Sequence, residues 1–351
     1  MNRKIVIFIS LILLIPNLLI AQTITDFRVR GQIGNARIDN DARRIFVMVN
    51  YEFNNAVFPL GRAEVERIVI ENNVQHTLPN RVDLRNWTRF TVGNDEWQIK
   101  GGYQLPYSDF GTWHQEVISG FATLGRITCD HMVGPANANL RIWDNGNPAF
   151  AASGSRNWPT QKVRLNDGTY AAELTTRSIL GIIASGNLFT GRMERNMSLR
   201  QLMGFTSKDG KDLIEWGVPF EARPTGFRVK FSYTGLTDSC TVMAVLENRT
   251  GGVRRFVGVA WYSSTTDHDT SREGVVSISE PDRNGLRTLE TRFIYGRPHS
   301  NADPLPRGAV QGGANEPITH VNVVFASSRR GDFFRGRRNA QLIVKDFEFV
   351  Y

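Results

Sequence analysis

The stretch GVPFEARPTGFRVKFSYTGLTDSCTVMAVLENR, Gly217 to Arg249, decides how the chain is read. Phe227, Val229, Phe231 and Tyr233 fall on one side of an extended segment, and Arg228, Lys230 and Ser232 on the other. That is the period-two alternation of a half-buried strand. After Thr234 to Asp238 the pattern resumes with Cys240, Val242, Ala244 and Leu246. Two such runs across a short Gly- and Asp-containing connection predict an antiparallel hairpin. Pro219 and Pro224 come just before the first strand, where a missing N–H does not harm the ladder.

Working outward, Ile318 to Ala326 and Leu342 to Tyr351 read as a closing pair of strands, and the apolar phase slips at Lys345-Asp346, as at a β-bulge. Val163 to Thr176, Ser178 to Ala184, Ile278 and Leu289 to Tyr295 supply further strands, the second so apolar that it reads as buried on both sides. His299 to Pro317 and the Gly-, Asn- and Trp-rich run from Asp109 to Pro159 read as long loops, and such loops inside a compact domain are commonly functional. Upstream, Ile45, Val47, Val49, Tyr51 and Phe53 alternate, Ala63 to Ile70 gives another strand, Asn72-Asn73 marks a turn, and further strands lie near Arg89 to Val92 and Glu96 to Ile99. About seven short strands over residues 23–105 suggest a small Ig-like β-sandwich. Gly101 to Tyr107, GGYQLPY, reads as a hinge. The expected architecture is all-β, an Ig-like sandwich followed by a larger jelly-roll sandwich over 106–351.

Residues 1–22 carry a basic start (Arg3, Lys4), an apolar run from Ile5 to Ile20 and a small Ala21, which reads as a cleaved secretory signal peptide. An uncleaved anchor is the alternative, disfavoured by Pro16 and Asn17 and by the roughly 20 residues that a span requires. The protein is therefore expected to be exported, to the periplasm, cell surface or medium, with no transmembrane span after signal cleavage. Removing Arg3 and Lys4 lowers the formal charge from +8 to +6, a balance suited to envelope association or acidic polysaccharides. The densest basic cluster, Arg329, Arg330, Arg335, Arg337 and Arg338, lacks any nucleic-acid-reading motif and reads first as a solvated turn, so no nucleic acid is expected. Cys129 and Cys240 are the two cysteines. They could form one bridge closing a loop of about 110 residues, worth roughly 4–5 kcal/mol, or stand as buried thiols, the reading that the apolar phase of Cys240 favours.

Three blocks carry a family resemblance: PFEARPTGFRVKFSY with DSCTVMAVLENR; YAAELTTRSILGIIASGNLFTG, Tyr170 to Gly191; and ITHVNVVFASSRRGDFFRGRRNAQLIVKDFEFVY, Ile318 to Tyr351. Together they resemble the putative carbohydrate metabolism domain (PCMD) of secreted and surface proteins of Bacteroidetes, from about Asp109 onward. VDLRNW and TRFTV are similar to the Ig-like modules that often precede it. The resemblance implies a jelly roll and a carbohydrate-related role. Ala340 departs from the family's usual small polar residue, and Lys345 interrupts an acidic pair common there.

Sugar recognition needs flat apolar faces and planar polar groups. Trp143 stands beside Asp144, Asn145 and Asn147, and Trp158 beside Asn157. Trp113 and Trp261 are further platforms if they are not core residues. Glu215 and Arg223 flank the organising strand, Arg223 as a sugar clamp or a structural tie, and Asn187 is a hydrogen-bonding candidate in GNLFTG. The expected ligand-binding set is therefore Trp143, Asp144, Asn145, Trp158, Trp113, Arg223, Glu215 and Asn187. Glycoside hydrolysis needs two carboxyl groups about 5–5.5 Å or 6.5–9.5 Å apart, and Asp144, Asp167, Glu173, Glu215, Glu247 and Asp332 are candidates that sequence cannot pair. His76, His114, His131, His268, His299 and His320 show no ligand spacing, and Asp267-His268-Asp269 reads as a turn. Asp332 could bind Ca²⁺, but arginines surround it. No metal, cofactor, G-x-S-x-G elbow or P-loop is expected. The leading expectation is an exported carbohydrate-binding protein taking a poly- or oligosaccharide, with the first module as a spacer. A glycoside hydrolase and a cell-surface adhesion or assembly protein are the alternatives.

Overall fold

The computed structural model describes residues 22–51, 59–71, 73–74, 81–120, 125–179, 181–195, 213–303, 305–306 and 308–351. The leader up to Ala21, Phe53, Asn72 and His76 lie outside them. The fold is all-β, and its one α-helix among the described residues is the six-residue Asn147–Ala152.

The organising stretch forms two strands, but they are not a hairpin. Gly226–Thr234 lies in a six-stranded sheet between Arg287–Arg292 and Gln341–Val350. Thr241–Asn248 lies in a nine-stranded sheet between Arg254–Tyr262 and His320–Ala326. The connection is an arch from one sheet to the other. A tight hairpin turn would keep both strands in one sheet, with their apolar faces side by side. Here Leu236 takes a left-handed φ of 60°, Asp238 N–H bonds back to Gly235 O, and Cys240 N–H bonds to Ser264 O. The two apolar faces therefore oppose each other, and Phe231 meets Tyr262 edge-on at 5.4 Å across the sandwich. The expected bulge is present: Asp346 has φ 51°, and the register slips between Arg228–Glu348 and Lys230–Lys345.

Val163 to Thr176 divides into Thr160–Arg164 and Tyr170–Thr175 around a turn with Gly168 at φ 83°. The run expected as a doubly buried strand is instead a small hairpin, Arg177–Ile179 with Ile182–Ala184, and Ile182, Ile183 and Ala184 are only half-buried. The expected loop from Asp109 to Pro159 contains the Trp113–Gly120 and Gly125–Val133 hairpin. Its inward positions include His114 and Glu116, so the apolar alternation that marks a strand is broken there by polar residues.

The first module has two small sheets, one holding Ile24–Val29 with Ala63–Ile70, the other pairing Arg44–Met48 in parallel with Asp95–Gly102. Phe27 and Phe90 pack between them at 5.9 Å. Gly101 and Gly102, read as a hinge, are packed into a seam. A Cβ on Gly102 would come within 2.5 Å of the Tyr351 ring. Across the seam Tyr351 OH donates to Tyr103 O (2.8 Å), Lys100 Nζ to Arg223 O (2.7 Å) and Tyr51 OH to Pro219 O (2.9 Å). One apolar core runs continuously from Phe27 through Tyr103 and Phe220 to Phe347.

Candidate functional site

The two outer faces of the large sandwich differ in chemistry. On the six-stranded sheet, Arg228 pairs with Glu290 (2.7 Å) and Glu348 (3.6 Å), and Lys230 with Asp346 (2.9 Å). This is an ordinary solvated lattice. On the nine-stranded sheet the inward residues Val242, Ala244, Leu246, Val321, Val323 and Phe325 join the main core. Their neighbours point outward, yet these too are apolar: Phe189 and Val324 cluster with Trp216 and Met243, and Val245 and Val259 with Trp261. The pairing registers put Phe189, Val324, Met243 and Trp261 in one row across four strands, a span of about 14 Å at ordinary strand spacing. Trp216 packs on Phe189 at 5.0 Å, so an indole stands at each end of the row.

This floor is recessed, Trp261 being 7% exposed, and it carries unmatched polar atoms. Trp261 Nε1, Asn322 Oδ1, Thr241 Oγ1 and Ser263 Oγ have no hydrogen-bond partner. Buried polar groups are normally paired, and each exception costs about 1–3 kcal/mol. These four share one face, while others such as Trp97 Nε1 and Thr291 Oγ1 lie elsewhere. At one end the Arg329 guanidinium lies 5.5 Å from the Trp261 ring centre and pairs with Asp303 at 3.0 Å. At the other, Glu247 is fully buried and accepts from Arg249 Nε (2.7 Å) and from Arg254 Nη2 (2.6 Å) and Nε (3.1 Å). His320 faces Glu247 across the ladder, and burial together with the Arg249 charge lowers it to about 4.

The residues singled out from sequence divide. Trp143 is 2% exposed, turned into the sandwich against Phe110 (5.0 Å), with Nε1 donating to Pro106 O. Trp158, 6% exposed, packs with Ile118, Cys129 and Phe150 in a satellite core. Both rings are spent on core packing. Trp113 is half-buried and donates to Phe110 O. Asp144, Asn145 and Asn187 do come together at the start of the short helix, where Asn187 Oδ1 accepts from Gly146 N–H and Asn145 Oδ1 from Asn147 N–H. Asn187 also lies opposite Ala326, which puts it level with Thr241. Glu215 is exposed on the Ile214–Trp216 edge strand. Arg223 is a tie: it donates to Ala314 O and Glu316 O, and stacks on Tyr295 at 4.9 Å. Both cysteines are free and buried, and burial pushes Cys129 up to about 11 and Cys240 up to about 12.

Sequence reading did not anticipate the Glu116–Arg195–Asp144 bridge. Arg195 holds Glu116 Oε1 at 2.8 Å and Asp144 Oδ2 at 2.8 Å, and Arg141 holds Glu116 Oε2 at 2.7 Å. Although burial works against it, hydrogen bonds from His114 and Arg195 with the nearby guanidinium charges keep Glu116 well below the usual carboxylate range. Burial pushes Asp144 up, against the opposing charge of Arg195. Glu116 and Asp144 sit on different strands and Arg195 follows a third, so no local spacing could reveal them. Among the described residues no group of His, Cys, Asp or Glu has the arrangement of a metal site. Asp269 instead closes a turn by accepting from Ser271 N–H.

The fold is all-β, and its larger sandwich of six- and nine-stranded sheets carries one recessed apolar face. The chain belongs to the putative carbohydrate metabolism domain family, whose model matches residues 125–350. Similar solved structures include a putative glycoside hydrolase from Bacteroides thetaiotaomicron, 16% identical with a TM-score of 0.44, covering 94% of this chain and 96% of that one. A second, from Bacteroides vulgatus, is 18% identical with a TM-score of 0.42, over 76% and 96%. A family 11 carbohydrate-binding module from Clostridium thermocellum is 11% identical with a TM-score of 0.28, over 70% and 94%. No curated protein matches the chain.

Proposed function

We propose that this is an exported glycan-binding protein whose ligand lies across the outer face of the nine-stranded sheet. The observation that carries the reading is the unmatched set Trp261 Nε1, Asn322 Oδ1, Thr241 Oγ1 and Ser263 Oγ on one apolar floor. Sugars present what such a floor lacks, C–H faces for the indole and hydroxyls that both donate and accept. Asn187 and Glu215 stand at its margin and belong to the proposed site. Residues 1–22 are the export signal, 23–105 an Ig-like module and 106–351 the PCMD-type jelly roll, as in surface proteins of Bacteroidetes.

Binding is favoured over hydrolysis because hydrolysis needs two carboxyl groups, and apart from Glu215 at the margin the carboxylates at this floor are held by arginine: Glu247 by Arg249 and Arg254, Asp303 by Arg329. A carboxylate whose oxygens are taken by guanidinium donors is not aimed at a substrate. The test is affinity electrophoresis on a panel of soluble polysaccharides, with reducing ends measured in parallel. Retention without new ends, lost in Trp261→Ala while the unfolding midpoint holds, is expected. New reducing ends from the wild type would replace the binding reading with an enzymatic one.

A further inference from the structure

We infer that the glycan is anionic, bearing carboxylate or sulfate oxygens, and that its charge is received by Arg329 and the arginine-rich loop that follows it. The inference rests on the binding face proposed above and specifies what occupies one end of it.

The first observation is the sign of the unmatched atoms at the Trp261 end. Arg329 Nε, Asn301 Nδ2 and Trp261 Nε1 are buried N–H donors without a partner, and the unmatched Thr241 and Ser263 hydroxyls beside them can also donate. The three N–H donors belong to residues in mutual contact: the Arg329 guanidinium lies over the Trp261 ring, and its Nη2 donates to Asn301 O at 2.9 Å. Asp303 occupies Nη2 and leaves the Nε edge unmatched. A neutral hydroxyl can match such donors one at a time. An anionic group offers acceptors only, several oxygens together, and its charge-assisted bonds are about twice as strong.

The second observation is the loop itself. Arg330, Arg335, Arg337 and Arg338 are exposed, and none pairs with a carboxylate among the described residues. The backbone that carries them is anchored. Ser328 N–H donates to Ser185 Oγ (3.0 Å), Thr176 Oγ1 meets the Ser327 and Ser328 hydroxyls (2.8 and 2.6 Å), Arg329 N–H bonds to Ser239 O, and Arg337 N–H to Asp238 Oδ2 (2.8 Å). These anchors fix the loop at the rim where Thr241 begins its strand, beside Arg329. Cations held on an ordered rim, without internal partners, raise the local concentration of an anionic ligand.

The experiment uses the protein purified without residues 1–22. Affinity gels contain polygalacturonate or its methyl ester, a sulfated galactan or its desulfated form, and a single-stranded oligonucleotide serves as a competing polyanion. The R335Q/R337Q/R338Q variant alters only exposed, unpaired side chains, so folding is not at stake, and Trp261→Phe keeps a ring while deleting the N–H. We expect one acidic polymer to be retained at least about tenfold more tightly than its neutral partner. The triple variant should lose that margin, Trp261→Phe should weaken retention, and whichever pair shows the margin identifies carboxylate or sulfate. If neutral polymers bind as well as acidic ones and Trp261→Phe still weakens them, the binding face stands and the anionic inference falls. Retention of acidic polymers that ignores Trp261→Phe, or that the oligonucleotide matches, is ion exchange on the loop and overturns the inference. No retention of any polymer removes both readings.

Discussion

Replacing Glu247 separates a structural carboxylate from a catalytic one. The side chain is fully buried and accepts three hydrogen bonds at 2.6–3.1 Å from Arg249 and Arg254. Removing one member of a buried ion pair costs about 3–5 kcal/mol, because the remaining charge is left uncompensated. Here the arginine side chains are 23% and 31% exposed and regain some water, so about 2–4 kcal/mol is the better figure for Glu247→Ala. Glu247→Gln keeps the shape and some of the hydrogen bonds and should cost about half as much. At about 2 °C per kcal/mol for a chain of this size, the alanine variant should melt at least about 4 °C lower. Urea unfolding gives the free energy, and the reducing-end assay runs beside it. A general acid would behave in the opposite way, with Glu247→Gln near wild type in stability and product release abolished. That outcome, or an alanine variant with an unchanged midpoint, would refute the ion-network argument.

Gly102→Ala should cost about 2–4 kcal/mol, because its methyl group displaces the Tyr351 ring and with it the bond to Tyr103 O, and urea titration of both modules should shift together. Trp143→Ala should destabilise by about 3–5 kcal/mol as a core cavity, so any lost glycan retention in that variant must be read beside its unfolding curve. His320 stays neutral in the folded protein down to about pH 4, whereas unfolded it protonates near 6.5. The unfolded state therefore binds the extra proton between those values, stability falls as pH drops from about 6.5 to 4, and His320→Gln should flatten that part of a midpoint-against-pH plot. An unchanged slope in the variant would count against the burial of His320 as its cause.

The strands of the organising stretch were legible, and their partners were not. Phe227 to Tyr233 alternates because one face meets the core and the other meets water, and period-two reading finds such strands. The same logic located the bulge, since the slip of phase at Lys345-Asp346 is the extra residue itself. What local pattern lacks is the direction in which an inward face looks. Phe231 and Val242 have identical inward phase whether their strands lie side by side or oppose each other, and only the arch at Leu236 decides. The trinity of Trp, Asp and Asn at 143–145 misled in a related way. Polar neighbours make a tryptophan look like a loop platform, but Asp144 is buried and satisfied by Arg195, 51 residues on, and Asn145 by the helix start beside it.

The proposed face was hidden for the converse reason. In Thr241–Asn248 the burial runs through both phases, so Met243 and Val245 read as more core rather than as a second surface. A sheet that is apolar on both sides must have its outer side covered by its own chain or by a ligand. The short helix and Trp216 cover one flank, and Ala302 the other. The polar atoms left unmatched between them are those that further packing by the chain does not satisfy. The Thr241 and Ser263 hydroxyls lie at the same end as the N–H donors around Arg329, and an anionic glycan seated there would accept from all of them.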